Sequence, residues 1–296
     1  MFLPESNPTA DGWSTAQFHS KWDLRSPRPE AAAILAEAFG ASRQGHLMLE
    51  FWIGTTGGVL IGSTGVGLGL IVTPLLILAG YSPAVAIGTG LGVTVVTKLF
   101  AAMVHDRLGH WPGWGVGILL AGGAAGVAVA WWFALTVLRP GRIDFDAWLK
   151  RALAVTLFLA AFVMLKIDRA QGRRLVGRGR SRAFLLPIGL GVGTLQALTS
   201  AGSGSLLTPI LASTTDWEVS QMAAVSNLFG ALVGALSVGL YFKLGDFNTH
   251  LFGKVLMGLL PGVLVGSLLS RRIPRHWFVR GIAVVATLIA VRLLFA

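Results

Sequence analysis

The sequence contains no cysteine. Disulfides, thiolate nucleophiles and cysteine-ligated metal sites are therefore excluded. Charge is scarce as well. Charged residues make up 12% of 296 residues, about half the share of a typical soluble domain. Acids are the rarer sign, at 13 against 24 basic residues. None of them lies deep in a long apolar run, so no buried proton relay is visible. No cluster of His, Asp and Glu suggests a metal, and no Ser/His/Asp arrangement is persuasive. The chain is not expected to be an enzyme, and no cofactor is expected.

What is present is apolar. Hydrophobic residues account for 54% of the chain. The polar surface is too small to cover a globule in water, so lipid must cover it. The net charge of +11 does not indicate a nucleic-acid partner. The basic residues sit in short gaps between apolar runs, where the positive-inside rule expects them.

Apolar runs fall at about 47–63, 67–80, 84–104, 113–138, 148–166, 183–199, 203–214, 219–242, 250–270 and 276–295. Six have the roughly 20 residues that a spanning helix needs. The pairs 47–63/67–80 and 183–199/203–214 are short or interrupted, with glycines at their junctions. Residues 1–45 are polar and proline-bearing, and are expected to form a disordered tail rather than a signal peptide.

The runs repeat. Thr64-Gly65-Val66-Gly67-Leu68-Gly69-Leu70-Ile71-Val72-Thr73-Pro74 resembles Thr199-Ser200-Ala201-Gly202-Ser203-Gly204-Ser205-Leu206-Leu207-Thr208-Pro209. Leu108-Gly109 resembles Leu244-Gly245, and Gly122 and Gly126 align with Gly258 and Gly262. The offset stays at 135 or 136 across all three motifs. The chain is therefore expected to hold a first repeat over 46–166, a basic cytoplasmic linker over 167–182 and a second repeat over 183–296. An odd number of crossings per repeat inverts the second relative to the first. The fold class expected is an all-α membrane protein, a polytopic helical bundle of two inverted-topology repeats with short interrupted or re-entrant helix pairs.

Charge tests the orientation. The gap between the halves carries Lys166, Arg169, Arg173, Arg174, Arg178, Arg180 and Arg182 with Asp168 as its one acid, which is expected to place it in the cytoplasm. The outer gap 139–151 opposes this with Arg139, Arg142, Lys150 and Arg151, partly offset by Asp144 and Asp146.

The two glycine-rich junctions are the candidate site. Irregular backbone at membrane depth is tolerated only where it lines a cavity or is buried in protein. Two half-helix N-termini aimed at one place would attract an anion. Candidate binding residues here are Thr64, Gly65, Gly67, Gly69, Gln196, Ser200, Gly202, Ser203, Gly204 and Ser205. The competing explanation is that small residues let helices approach closely. A nucleotide phosphate loop is excluded, because the strand–turn–helix context is absent.

Further polar positions lie in long spans. Gly88-Thr89-Gly90-Leu91 aligns with Val225-Ser226-Asn227-Leu228 at an offset of 137. Thr89, Ser226 and Asn227 are therefore candidates, either for the site or as interhelical glue. Lys98 either attracts substrate or snorkels to the interface. Glu50, at the start of the first segment, is expected to be interfacial. Gly122, Gly126, Gly258, Gly262 and Gly266 stand four apart and are expected at helix contacts.

The motif at Gly65–Pro74, continued by Tyr81-Ser82-Pro83 and Ala86-Ile87-Gly88-Thr89, resembles the first half-motif of the sulfite exporter TauE/SafE family. Ser200–Pro209 resembles its second half-motif. The resemblance covers roughly residues 47–296. It implies a transporter of sulfur-containing anions such as sulfite and organosulfonates, largely by export, in the cell inner membrane. Val66, Leu68 and the serine-rich second motif depart from the family pattern and leave the particular anion open. Partners expected are a small anionic substrate and the lipid bilayer, with a homodimer as the candidate assembly and no nucleic acid. The alternatives are an uptake carrier for another small anionic metabolite and a non-transporting membrane assembly or sensor protein.

Overall fold

The computed structural model describes residues 43–64, 67–107, 112, 115–138, 144–170, 184–269 and 275–295. Among them the chain forms ten α-helices and no strand. These are α1 (Arg43–Thr64), α2 (Val72–Leu78), α3 (Pro83–Arg107), α4 (Gly115–Phe133) and α5 (Phe145–Ala170), then α6 (Leu185–Thr199), α7 (Thr208–Thr214), α8 (Val219–Leu244), α9 (Thr249–Leu269) and α10 (Arg275–Phe295). A 3₁₀ turn (Leu68–Leu70) leads into α2, and a π-helical turn (Ser203–Leu207) leads into α7. The tail over 1–42 and most of the linker lie outside the described residues.

Each apolar run of the sequence becomes one helix. The first helix begins at Arg43, ahead of the apolar run. Among the described residues, five helices are long and apolar enough to cross a membrane: α3, α4, α5, α8 and α9. Large apolar side chains point outward from them, including Phe162 on α5 and Leu260, Leu264 and Leu268 on α9. Water would penalise so much exposed apolar surface, whereas lipid accepts it. The chain is a multi-pass membrane protein.

The helices pair across the sequence. α1 packs on α9, α4 on α6, α3 on α8, and α5 on α10. Glycine sets the first two contacts. A Cβ on Gly58 would lie 2.8 Å from the Val263 nitrogen and 2.9 Å from the Gly262 Cα. One on Gly62 would lie 2.9 Å from the Ser267 nitrogen. On α4, a Cβ on Gly126 would lie 2.8 Å from the Thr194 nitrogen. The backbones therefore touch directly, and the Thr194 hydroxyl donates across the seam to the Gly126 carbonyl at 3.1 Å. Residue numbers rise together along both contacts, so each pair is parallel. The glycines expected at helix contacts, Gly122, Gly126, Gly258, Gly262 and Gly266, all face a neighbouring backbone in this way.

The α3/α8 pair runs the other way. Gly88 meets Tyr241, Val95 meets Gly234, and Lys98 meets Gly230. These two helices are antiparallel, and they carry the aligned motifs at Thr89 and Ser226.

Candidate functional site

The first break follows α1. Gly65 and Val66 lie outside the described residues, as does the Thr64 side chain. Gly67 and the 3₁₀ turn then connect to α2. Pro74 sits in the first turn of α2, where a missing N–H costs nothing.

The second break follows α6. Ser200 caps that helix at φ 59°, and its N–H donates to the Gln196 carbonyl at 2.8 Å. Gly202 adopts φ 155°, which a side chain would strain. The N–H groups of Leu206 and Leu207 both reach back to the Gly202 carbonyl, at 2.9 and 3.0 Å. That shared acceptor makes the π turn, an irregularity frequent at functional sites.

The two breaks touch. A Cβ on Gly67 would lie 3.5 Å from the Gly204 nitrogen. Gly69 lies directly against the Ser200 carbonyl, with no room for a methyl group. The Thr73 and Ser200 hydroxyls are 2.5 Å apart and buried. Gly90 on α3 makes room for them, since a Cβ there would overlap Thr73 Oγ1. Gly67 and Gly204 stay partly exposed while Gly69, Ser203 and Ser205 are buried. α2 and α7 have seven residues each, are preceded directly by the 3₁₀ turn and the π turn, and carry no charged side chain.

Positive charge comes instead from Lys98. Its residue is 7% exposed, so it does not snorkel out. The ammonium donates to Asn227 Oδ1 at 3.3 Å and to the Ser226 carbonyl at 3.4 Å, both on α8. The Ser226 hydroxyl donates in turn to the Ser203 carbonyl in the π turn. Gly230 accommodates the Lys98 stem and the Ser203 hydroxyl, 2.6 Å from where its Cβ would be. The Gln196 amide donates to the Gly230 carbonyl at 3.0 Å. Lys98, Gln196, Ser203, Ser226 and Asn227 thus form one cluster beside the breaks.

Several buried polar atoms there have no partner. They include Thr89 Oγ1, Thr94 Oγ1, Ser205 Oγ and Gln196 Oε1. A buried polar atom without a hydrogen bond calls for an explanation, such as a ligand or water. Among the described residues no carboxylate pairs with Lys98.

Gly90, Thr94 and Gly230 were not singled out from the sequence. The signal was available: Gly90, Thr94 and Lys98 stand four apart on α3, and Ser226, Gly230 and Gly234 four apart on α8. Residues so spaced share a helix face.

Glu50, at the start of the first segment, is buried at 5% exposure. Its carboxylate takes the Lys254 ammonium of α9 at 2.9 Å and accepts the hydroxyl of Tyr81 from the turn between α2 and α3. Burial first, and then the Glu50 carboxylate, push the Tyr81 hydroxyl well above the usual phenol range.

A family model described as Sulfite exporter TauE/SafE matches residues 51–293. A probable membrane transporter protein, YjnA of Bacillus subtilis (strain 168), is 32% identical over 222 residues. The match covers 73% of this chain and 87% of that protein. No solved structure matches the chain significantly.

Proposed function

The chain belongs to the sulfite exporter TauE/SafE family and is a membrane transporter; from that premise we propose that it exports a small sulfur-containing anion, such as sulfite or an organosulfonate. The anion binds where the two glycine-rich breaks meet. The observation that carries this reading is the contact of Gly67 with Gly204 beside a buried ammonium, Lys98, that no carboxylate among the described residues neutralises.

Each residue type has a part. Gly67, Gly69, Gly202 and Gly204 keep side chains out, so the anion meets backbone. The Thr89 and Ser205 hydroxyls are unpartnered donors. Ser200, Ser203 and Ser226 hold the two breaks and α8 in register. Lys98 supplies charge, and Asn227 positions it. Hydrogen bonds to an ionised acceptor in a low-dielectric site are the strong ones.

Inverted repeats supply the motion. α3 and α8 sit at corresponding places in the two halves and run antiparallel, which supports this arrangement. Rocking of one repeat, 46–166, against the other, 183–296, opens the site to each side in turn. With the linker over 167–182 in the cytoplasm of an inner-membrane protein, the negative interior drives anions outward.

Purified protein in proteoliposomes tests this. Substrate-dependent efflux of labelled sulfite or a sulfonate is expected. Absence of flux and of binding across sulfite, sulfonates and thiosulfate would refute it.

A further inference from the structure

We infer that this site, on the functional reading above, selects an anion with a single negative charge and a hydrogen-bond donor of its own, and that Lys98 and Gln196 set the choice.

The first half rests on charge balance. Lys98 is buried, and its hydrogen-bond partners among the described residues are a backbone carbonyl and an amide oxygen. Neither carries charge, and both contacts are long, at 3.4 and 3.3 Å. A singly charged anion beside this ammonium forms a neutral pair. A dianion leaves one negative charge uncompensated in a medium that solvates it poorly.

The second half rests on donor and acceptor counting. The bond from Gln196 Nε2 to the Gly230 carbonyl fixes the amide orientation, because only the nitrogen end can donate. Its oxygen end, Oε1, is then buried with no partner. That atom can only accept. A bare sulfonate or sulfate oxygen has nothing to offer it, whereas a ligand hydroxyl or ammonium does. Gly230 joins the two halves into one site: its carbonyl holds Gln196, and its Cα face holds Lys98 and Ser203. The anionic oxygens face Lys98 and the donor group faces Gln196. Hydrogen sulfite or a hydroxyalkanesulfonate fits this description. Thiosulfate and sulfate do not.

Three labelled probes in proteoliposomes of the full chain separate these terms. Isethionate is a monoanion with a hydroxyl, methanesulfonate a monoanion without one, and thiosulfate a dianion. Isethionate is expected to move fastest, with roughly tenfold or more separating it from thiosulfate. Gln196→Leu should remove the advantage of isethionate over methanesulfonate. Lys98→Met should slow both monoanions, and Lys98→Arg should restore part of the rate. The wild-type ranking needs no variant to fold. Thiosulfate moving as fast as isethionate would overturn the inference, as would isethionate moving no faster than methanesulfonate. If none of the three anions moved and sulfite did not either, the transport reading itself would fall, and this inference with it.

Discussion

The Thr73 and Ser200 hydroxyls, 2.5 Å apart, tie the helix that leaves one break to the residue that caps the helix before the other. A buried hydrogen bond of this kind contributes about 1 kcal/mol net. Thr73→Val and Ser200→Ala should each lower stability in detergent by about 1–2 kcal/mol. The double variant should cost less than their sum, because either change alone leaves the other hydroxyl stranded. Thermal unfolding of the four proteins completes the cycle.

Glycines that face backbone should tolerate nothing larger. Gly58→Ala and Gly126→Ala force the paired helices apart, at a cost of about 1–3 kcal/mol each. Gly117 and Gly191 are the controls. They are helical too, yet nothing lies within 4 Å of a Cβ built on either. Alanine there should be neutral or stabilising, since it favours the helix. Melting temperatures across this set check the contrast.

At Gly67 the size of the substituent should matter. Alanine would rest 3.5 Å from the Gly204 nitrogen, in ordinary contact. Leucine would drive its branch between the breaks. Gly67→Ala should keep most of its transport, and Gly67→Leu should lose it while still inserting in the membrane. Flux measured beside the amount of folded protein distinguishes the two effects.

Tyr81 offers a spectroscopic handle, because the chain has two tyrosines. In a Tyr241→Phe background Tyr81 stands alone. Its tyrosinate absorbance should be missing near pH 10, the ordinary value, and emerge only at more alkaline pH. The raised value means that this neutral hydroxyl stabilises the fold fully below about pH 10, and that the contribution fades as pH climbs further. Glu50→Gln should bring the titration partway back, since burial remains the larger cause.

Helix positions were legible because lipid demands long apolar runs, and the ten runs correspond to ten helices. The repeat was read from the shared spacing of Gly67-Leu68-Gly69 and Gly202-Ser203-Gly204, while the breaks themselves differ, one a 3₁₀ turn and the other a π turn. The pairing of Glu50 was not legible. An acid near the end of an apolar run gives no sign of which distant cation reaches it. Lys254 lies far along the sequence, and nothing local announces the pairing. Lys98 was visible as a charge in a span, but its direction depended on the space left by Gly230 on α8.

The parallel pairing of α1 with α9 bears on biogenesis. The ribosome delivers α1 well before α9, with α2 to α8 between them. Through that interval the flat glycine face of α1 has no partner and is covered by lipid alone. α6 meets a ready-made groove on α4, so the central contact closes early and the outer one last. Assembly is therefore expected to finish only when the late helices arrive, and a chain stopped before α9 should be a quality-control substrate rather than a smaller working protein.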